Sequence, residues 1–418
     1  MKTIVIIGGG ASGLVAAISA KTSSTNVILL ERNAFCGKKI LATGNGRCNY
    51  WNSDQDLNHY NSTNHELLQD IITKSNQEEI LNFFSRIGII PKIKNGYYYP
   101  YSNQALSIRD ALITEASQVG VKIHTSSYVE NIRKENSKYI ISVNNESIIA
   151  DAVIIATGSK ASPKTGSDGN GYNLAKKLGH TVIEPLPALV QLVGNEKYFK
   201  DWNGIRCEAK ISLFSNNQLV KENLGELQLT DYGISGICTF NLSRFVSRNI
   251  KEHQLLYVAI NFLPFIENNA LDWLATRNEI VRNRTIFELL EGLLNPKLIK
   301  VILKICNLTV EEKWDNLRDN EKNLLIEKLT NLKIKIIGTK SFDQAQTCSG
   351  GIPLSAINPK TMESTINKNL YFVGELLDVD GDCGGYNLGF AWISGLIAGK
   401  SSRSWYYDSY KTNKNPFN

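Results

Sequence analysis

Residues 3–20 read TIVIIGGGASGLVAAISA, and residues 26–31 read NVILLE. The first five residues of this stretch are apolar or β-branched and do not alternate with polar residues, which is typical of a strand buried on both faces of a parallel sheet. Small apolar residues follow the glycines and continue at 14–20 as a helix. The stretch therefore predicts a strand, a glycine turn, a helix and a second buried strand.

Three glycines decide what the first turn can do. Gly8, Gly10 and Gly13 have the spacing of a dinucleotide-binding fingerprint, which permits a tight turn, close approach of backbone amides to a diphosphate, and close packing of the helix on the strand. The start of the helix adds a favourable potential for phosphate. Glu31 ends the second strand about 20 residues later, where a carboxylate binds a ribose diol and repels the 2′-phosphate of NADP. The turn predicts FAD or NAD.

Length and composition indicate a multidomain globular protein. A chain of 418 residues exceeds the size of one core and predicts two or three domains. Apolar residues make up 42% and charged residues 21%, and no apolar run reaches the roughly 18 residues of a membrane span. Residues 3–20 imitate a signal peptide, but glycines interrupt them and the fingerprint accounts for each position. We expect a cytoplasmic protein with no membrane partner.

The cysteines and the net charge limit the classes of protein to which the chain can belong. The seven cysteines are scattered, which argues against a disulfide framework and fits the reducing cytoplasm. No pair of them has zinc-ligand spacing, and no metal is predicted. The net charge of +6 is typical of a solvated surface, although it leaves a nucleic-acid partner open. The oligomeric state is left open by the sequence.

A basic loop, CGKKILATGNGRCN at 36–49, follows the second strand. Lys39 and Arg47 are candidates to neutralise a diphosphate or to hold an anionic reduced flavin, and the alternative is a solvated basic loop. Cys36 and Cys48 are separated by eleven residues, unlike the closely spaced pair of flavin disulfide reductases. This spacing disfavours a redox disulfide.

The next elements follow from periodicity. Helical patterns cover 64–87 and 107–119, and a turn leads into the aromatic strand at 97–101. Four short strands fit a hairpin-rich crossover between parallel strands; they are expected at 121–124, 128–133, 139–143 and 147–149. A second buried strand ends in Ala156-Thr157-Gly158, where small residues let the chain turn under the adenosine half of FAD. The glycine-rich helix start at 165–180 lacks a preceding strand, so we expect no second dinucleotide domain.

The composition changes in the middle of the chain. Residues 191–265 are β-rich and contain a glycine-bounded loop at 230–236 that opens a helix, whereas 266–333 are charged and helical. We expect an inserted substrate or lid domain at 191–340. The remaining ranges, 1–190 and 341–418, form the cofactor domain.

The C-terminal part, like the N-terminus, contains a buried strand and a glycine-rich segment that opens a helix. Residues 369–375, NLYFVGE, predict a short buried strand whose Glu375 can bond a ribitol hydroxyl. Residues 380–387, DGDCGGYN, open a helix whose first amides can face the flavin pyrimidine edge, where negative charge gathers on reduction. Together with the N-terminal fingerprint, this segment selects FAD over NAD as the resident cofactor.

The glycine fingerprint, the basic loop, residues 165–180 and the segment from Gly374 to Asn387 together resemble the BaiN/RdsA family, also described as aminoacetone-oxidase-like FAD-binding enzymes. The resemblance covers essentially the whole chain. It implies a glutathione-reductase-type FAD-binding Rossmann domain of the α/β class, made of both chain ends, with an inserted β-barrel plus helical domain. It also implies non-covalent FAD.

Family activities diverge, and the sequence leaves them open. The leading hypothesis is NAD(P)H-linked reduction of a conjugated C=C bond, with NAD(P)H as a transient electron donor. The alternatives are an aminoacetone-type amine oxidase that uses O2, an FAD-dependent rRNA dihydrouridine synthase, and an FAD-binding protein without turnover. The substrate is therefore expected to be a small molecule or an RNA base.

The site residues follow from the motifs and the resemblance. The predicted cofactor-binding set is Gly8, Gly10, Ala11, Ser12, Gly13, Glu31, Arg32, Lys39, Arg47, Asn49, Val129, Thr157, Gly158, Gly374, Glu375, Gly385, Tyr386 and Asn387. Tyr101, Asp231 and Tyr232 are candidates for proton delivery or substrate positioning, with packing as the alternative role. Two positions depart from the family pattern. Asn45 stands where many members have glycine, and Asp231 where many have histidine, so a histidine acid/base role is unsupported there.

Overall fold

The protein is described by a computed structural model over residues 1–266 and 269–404. These residues divide into two compact units. The first unit comprises Met1–Ser159, Lys164–Glu184 and the chain from Gly350 onward, and the second comprises Lys160–Pro163 and Pro185–Ser349. Both ends of the described chain therefore contribute to the first unit.

The two units contain both strands and helices. The strands are β1 Lys2–Ile7, β2 Thr25–Leu30, β3 Trp51–Asn52, β4 Tyr60–Asn61, β5 Pro91–Lys94, β6 Tyr97–Pro100, β7 Lys122–His124, β8 Val129–Glu135, β9 Lys138–Val143, β10 Glu146–Ala150, β11 Ala152–Ile155, β12 Ile183–Ala188, β13 Leu192–Gly194, β14 Arg206–Ser215, β15 Gln218–Thr230, β16 Gly233–Ser235, β17 Leu256–Asn261, β18 Leu332–Thr339, β19 Thr347–Gly351, β20 Ile357–Asn358, β21 Glu363–Ser364, β22 Leu370–Phe372 and β23 Asp380–Gly381. The α-helices are α1 Ala11–Ala20, α2 Lys38–Ala42, α3 Leu68–Ile71, α4 Lys74–Arg86, α5 Ala105–Gln118, α6 Asn170–Lys177, α7 Phe199–Trp202, α8 Ile237–Lys251, α9 Ala270–Val281, α10 Ile286–Leu290, α11 Pro296–Ile305, α12 Asp319–Thr330 and α13 Tyr386–Ser402.

The main sheet of the first unit has seven strands in the order β20-β21-β22-β11-β1-β2-β7. Strand β1 pairs in parallel with β11 on one side and with β2 on the other. In turn, β11 pairs in parallel with β22, and β2 pairs in parallel with β7. Ile4 to Ile7 in β1 are all buried, because α1 and the small antiparallel sheet β10-β9-β8 pack against this region. Burial of both faces explains why β1 reads as an uninterrupted apolar run.

Helices α1 and α13 lie against each other at very short range. A Cβ atom at Gly395 would lie 2.4 Å from the carbonyl oxygen of Ser12, and one at Gly399 would lie 2.5 Å from that of Ala16. Both contacts are closer than a side chain tolerates, so these two positions in α13 accept only glycine at the observed separation. The first and last helices of the chain are thereby joined in one unit.

Two expectations for the first unit are corrected. The helical pattern at 64–87 is interrupted, and α3 and α4 are separate helices because the Thr73 hydroxyl caps α4 by accepting a hydrogen bond from the Asn76 amide at 3.2 Å. The strand expected at 121–124 does not belong to a hairpin crossover. It is β7, and it extends the main sheet by pairing in parallel with β2.

The second unit contains a closed barrel of six strands in the order β13-β16-β15-β14-β17-β18. Strands β14 and β15 form a long antiparallel hairpin, and β17 joins β14 to β18. Helix α8 packs against the barrel, and α9 to α12 form a helical layer whose apolar residues share one core with the barrel. The two halves of this unit are therefore stabilised by a common interior.

Two strands of the barrel, β16 and β18, differ from the elements expected at their positions. Gly233–Ser235, expected in a loop, forms β16 and pairs with both β13 and β15. The expected helical range 266–333 ends earlier, because α12 stops at Thr330 and Leu332 begins β18. Leu332, Ile334 and Ile336 are buried while Lys333 and Lys335 are exposed, which is the period of two expected of a strand.

Over residues 1–266 and 269–404, no helix combines the length and the hydropathy that a membrane span requires.

The contact between α1 and α13 predicts the effect of Gly395→Val. The valine side chain would overlap the backbone of α1, so we expect a loss of stability of about 1–3 kcal/mol, seen as a lower Tm by circular dichroism. The control is Gly338→Val, because a Cβ atom at Gly338 meets nothing within 4 Å. Equal melting temperatures for the two variants would show that α1 and α13 are not packed this closely.

Candidate functional site

The glycine turn between β1 and α1 has one closed side and one open side. Gly8 has φ of +106°, and a Cβ atom there would lie 2.5 Å from the Ala156 carbonyl oxygen. A Cβ atom at Gly13 would lie 1.9 Å from the Gly8 carbonyl oxygen, whereas one at Gly10 would meet nothing within 4 Å. The first and third glycines are thus required for packing, and the second leaves space beside the helix start.

The start of α1 suits an anion. Gly10 is its N-cap and offers no side-chain cap, and its first turn contains no acidic residue. Within the described chain, no side chain caps the first amides of this helix, which carry the positive end of the helix dipole. Ala11 and Ser12 form this first turn. The open space at Gly10 and the uncapped amides together form a cradle of the kind that holds a diphosphate.

Glu31 is fixed directly beside this cradle. Its carboxylate is buried; one oxygen accepts a hydrogen bond from the Gly9 amide at 2.8 Å, and the other accepts from the amide and side chain of Asn33 at 2.7 and 2.6 Å. A carboxylate has about four acceptor positions, so it retains capacity for a further donor such as a ribose hydroxyl. The geometry fits the predicted role.

Arg32 and Val129 connect this region to the loop before α6. Arg32 forms an ion pair with Asp168, and its guanidinium lies 4.8 Å from the centre of the Tyr128 ring. The buried Val129 accepts a hydrogen bond from the Asn170 side chain at 3.0 Å through its carbonyl oxygen. Arg32 and Val129 thus both contact the segment that contains Asp168 and Asn170.

Two buried polar atoms in the predicted set have no protein partner. Over the two described stretches of chain, neither the Thr157 hydroxyl nor the Asn49 side-chain oxygen has a hydrogen-bond partner. A buried unsatisfied polar atom costs free energy unless a ligand or water completes it. Gly158, next to Thr157, faces Ser167, whose hydroxyl would lie 2.8 Å from a Cβ atom at Gly158.

Lys39 and Glu375 form an ion pair between the basic loop and the C-terminal segment. The Lys39 ammonium lies 2.6 Å from the Glu375 carboxylate, and the Ser159 hydroxyl donates to the same carboxylate oxygen at 3.0 Å. In the structure the Lys39 ammonium contacts this carboxylate, and its predicted role towards a diphosphate or a reduced flavin stays a prediction. The pair orients Glu375, and Ser159 is a member of this cluster that the sequence did not indicate.

Arg47 lies at the surface of the same loop. Its side chain donates to the Gly44 carbonyl oxygen at 3.3 Å, and its guanidinium lies 5.5 Å from the centre of the Tyr99 ring. Asn45, the position that departs from the family pattern, has φ of +54°. Asparagine tolerates this left-handed backbone better than most residues, so the turn is kept without glycine.

The two cysteines of the basic loop do not form a reactive pair. Cys36 and Cys48 are both buried, and within the described residues neither of them forms a disulfide. Burial, with the Glu31 carboxylate as a smaller contribution, raises the pKa of Cys36 to about 12. Burial also raises the pKa of Cys48 to about 12. Both thiols are therefore protonated at neutral pH and are poor nucleophiles.

The start of α13 is a second uncapped helix terminus. Gly385 is its N-cap with φ of +97°, and a Cβ atom there would lie 2.7 Å from the Trp51 carbonyl carbon. The first turn contains no acidic residue. Gly374 lies close to α1, since a Cβ atom at this position would lie 2.5 Å from the Ser12 hydroxyl. Both chain ends thus contribute helix starts to the first unit.

Tyr386 and Asn387 support this helix start through their side chains. The Tyr386 ring is buried and lies against His59 and Tyr60, with ring centres 4.5 and 5.6 Å away. The Asn387 side chain accepts from the Gly381 amide at 2.9 Å and donates to the Gly381 carbonyl oxygen at 2.8 Å. The side chains of both residues thus stabilise the segment that precedes the helix and leave its first turn without a side-chain ligand-binding group of their own.

The three candidate catalytic residues lie in different environments. Tyr101, in the first unit, is 70% exposed and follows β6. Asp231 is exposed and Tyr232 is half-buried, and the two form the turn between β15 and β16 in the second unit. The Lys340 ammonium lies 3.9 Å from the centre of the Tyr232 ring. Their catalytic roles stay predictions.

Burial raises the pKa of Tyr232; the Thr230 hydrogen bond opposes this effect and the Asp231 charge adds to it. The phenol therefore remains protonated at neutral pH and is able to donate a proton.

A cluster around His59 was missed by the sequence analysis. Its imidazole contacts the carboxylates of Asp54 and Asp382, each at 3.1 Å. Asp382 is separated from His59 by more than 300 residues, and no local pattern connects them. In the described residues, no group of three or more His, Cys, Asp or Glu side chains could hold a metal ion.

The chain matches the family described as HI0933-like protein Rossmann domain over residues 2–401. It belongs to this family. A protein of Clostridium scindens named 3-dehydro-bile acid delta(4,6)-reductase is 38% identical over 405 residues, which cover 96% of this chain and 99% of that protein. A ribosomal RNA dihydrouridine synthase of Escherichia coli is 26% identical over 407 residues, which cover 95% of this chain and 98% of the other.

A solved structure shares the fold. The 3-ketosteroid delta1-dehydrogenase of Sterolibacterium denitrificans superimposes with a TM-score of 0.50 at 9% identity, covering 96% of this chain and 99% of that chain. The comparisons confirm the predicted family and the Rossmann-type FAD-binding α/β fold. The family membership and the 38% identity to a named reductase agree with the predicted FAD-dependent oxidoreductase.

The open side of the glycine turn predicts the effect of Gly10→Val. Gly10 has φ of −82°, which valine adopts without strain, but the side chain would fill the cradle. We expect the Kd for FAD to rise by at least about tenfold, or about 1.4 kcal/mol, in a fluorescence titration of the apoprotein. The Tm of the apoprotein should stay unchanged. Gly338→Val is again the control, and unaltered FAD affinity in Gly10→Val would place the diphosphate elsewhere.

Proposed function

We propose that this protein is an NAD(P)H-linked reductase of a conjugated C=C bond in a small-molecule substrate. The observation that carries the proposal is the similarity, over nearly the full length of both chains, to a protein named as a delta(4,6)-reductase. The uncapped helix starts and the orphaned polar atoms of the first unit support the cofactor part of the proposal.

The proposed FAD site uses groups from both chain ends. The amides of Gly10, Ala11 and Ser12 would hold the diphosphate, and Glu31 would bind the ribose diol. Glu375, oriented by Lys39 and Ser159, would accept from a ribitol hydroxyl. Support comes from the remaining acceptor capacity of both carboxylates.

The remaining contacts would fix the two ends of FAD. On the adenosine side, Arg32, Val129, Thr157 and Gly158 would line the site, and the Thr157 hydroxyl would gain a partner. On the flavin side, the buried side-chain oxygen of Asn49 would accept a hydrogen bond from the cofactor. Arg47 would approach an anionic group. The first amides of α13, after Gly385, would face the pyrimidine edge.

The chemistry that FAD would supply when bound is hydride transfer between NAD(P)H and an electron-poor C=C bond. The protein must then provide a proton to the neighbouring carbon and keep the substrate in position. Tyr232 is our first candidate for the proton donor, because its phenol stays protonated at neutral pH and an ammonium lies over its ring. Asp231 and Tyr101 are candidates for substrate positioning.

We further propose that the β-barrel plus helical domain, predicted at 191–340, is the substrate domain. The barrel carries the Asp231–Tyr232 turn, and its helical layer shares the same core. A cytoplasmic location is part of the proposal, and the absence of a disulfide at Cys36 and Cys48 in the described residues is in keeping with a reducing compartment.

An rRNA substrate is the second candidate, because the chain is 26% identical to an RNA dihydrouridine synthase. A nucleic-acid surface would need a contiguous positive face. The basic residues of the second unit are instead interspersed with acids; the pairs are Arg206–Glu226, Lys210–Glu222, Lys304–Asp201 and Arg318–Glu321. This mixed surface favours a small molecule.

Anaerobic half-reactions test the proposal. The purified holoenzyme is mixed with NADH, NADPH or aminoacetone, and flavin bleaching is followed; the reduced enzyme is then offered a 3-oxo-Δ4 steroid, uridine-containing RNA or oxygen. We expect bleaching by a nicotinamide cofactor and reoxidation by the enone. Bleaching by aminoacetone with peroxide on aeration would select the amine oxidase, and reoxidation by RNA alone would select the RNA enzyme. Reoxidation by oxygen alone would overturn the proposal.

The proton donor is tested with Tyr232→Phe. Loss of a general acid should slow enone reduction by about 100-fold, while flavin reduction by NAD(P)H keeps its rate. The matched control is Tyr257→Phe, because Tyr257 lies in the same barrel and also has a lysine, Lys333, 5.2 Å from its ring centre. Equal rates in stopped-flow measurements of both variants would exclude Tyr232 as the donor.

A further inference from the structure

His59 lies between two carboxylates from distant parts of the chain. One ring nitrogen, Nε2, is 3.1 Å from the Asp54 carboxylate, and the other, Nδ1, is 3.1 Å from the Asp382 carboxylate. Both nitrogens must carry a proton to donate to both acids, which is possible only in the imidazolium form. The arrangement is therefore built for a charged histidine.

The surroundings favour this charge. Partial burial lowers the pKa of His59, but the hydrogen bonds and charges of Asp382 and Asp54 outweigh burial and leave the pKa above its ordinary value. The titratable groups around the imidazole are Asp54, Asp56, Tyr60, Tyr97, Asp382, Cys383 and Tyr386. Burial raises the pKa of each of the three tyrosines, so these rings stay neutral. Among the groups of this cluster, His59 is the one whose titration falls near neutral pH.

The His59 imidazole packs against the start of α13. Its ring stacks on Tyr386, the first residue of that helix, with ring centres 4.5 Å apart. The Asp382 amide donates to the His59 carbonyl oxygen at 2.8 Å. Strand β4, which follows His59, pairs with β23, which precedes Asp382. His59 therefore shares a rigid frame with the helix start.

We propose that His59 is a positioning residue that sets the charge beside the start of α13 and thereby tunes the reduction of the bound flavin. The inference rests on the proposed FAD site, in which this helix start faces the pyrimidine edge. As an imidazolium, His59 neutralises part of the charge of Asp54 and Asp382. When it loses its proton, two carboxylates are left beside a helix start where the reduced flavin gathers negative charge, and they oppose reduction.

The sign of the pH dependence follows from this linkage. Reduction of FAD adds negative charge, which strengthens the hold of His59 on its proton. Over the pH range in which His59 titrates, the enzyme takes up this extra proton together with the electron pair. The reduction potential should therefore fall more steeply with pH in that range than below it. The same bonds stabilise the fold fully below the ordinary pKa of histidine, about 6.5, and are lost as pH rises through the raised value.

The experiment measures the midpoint potential of bound FAD between about pH 6 and pH 9, by reduction against reference dyes. The variants are His59→Gln and the control His65→Gln. His65 is also half-buried and lies nearby in sequence, but the partner of its Nε2 is the Leu57 carbonyl oxygen, at 3.0 Å, in place of a carboxylate. We expect the steeper range in the natural protein and in His65→Gln, and its loss in His59→Gln.

A second variant covers the case in which His59→Gln does not fold. Asp54 is 61% exposed, so Asp54→Asn should fold, and removal of its charge should move the steeper range to lower pH. Identical potential profiles for the natural protein and either folded variant would overturn the role of His59. A protein that binds no FAD would instead overturn the proposed function, so the two failures are distinguishable.

Discussion

The close contact of α1 with α13 is the constraint on which the first unit depends. Two glycines of α13, Gly395 and Gly399, bring its backbone against the backbone of α1 at Ser12 and Ala16. Strand β1, which precedes α1, and strand β22, which precedes α13, flank β11 in the same sheet. This packing holds the fingerprint and the C-terminal Gly-Glu segment in one unit.

The predicted site combines two carboxylates of fixed orientation with two helix starts that have free hydrogen-bonding capacity. Glu31 and Glu375 are each held by donors of the protein, so their carboxylates enter binding in a defined orientation. The two helix starts, by contrast, have glycine N-caps and no side-chain cap from the part of the chain that the structure describes. Oriented acceptors beside uncapped amides offer a nucleotide hydrogen bonds that need little rearrangement, which is the physical meaning of preorganisation.

Much of the fold was predictable because its signals are local. Strand β1, the glycine turn, α1 and β2 each follow from neighbouring residues, and the family comparison agrees with the fold class that they indicate. Two of the errors have local causes, and the third has a long-range cause. The cap at Thr73 divides a helical pattern, and the alternation at Leu332–Ile336 marks β18 directly after a helix. Strand β7 lies in the main sheet because pairing with β2 is a long-range contact that short apolar runs do not specify.

By itself, the sequence determined the dinucleotide turn, the acid at its second strand and the existence of a glycine-rich helix start near the C-terminus. Only the tertiary structure decided which charges meet. Lys39 pairs with Glu375 across 336 positions and His59 with Asp382 across 323 positions, so no spacing in the chain announces either contact. The physical reason is that backbone conformation is governed by near neighbours, whereas an ion pair depends on where the packed helices and sheet carry two side chains.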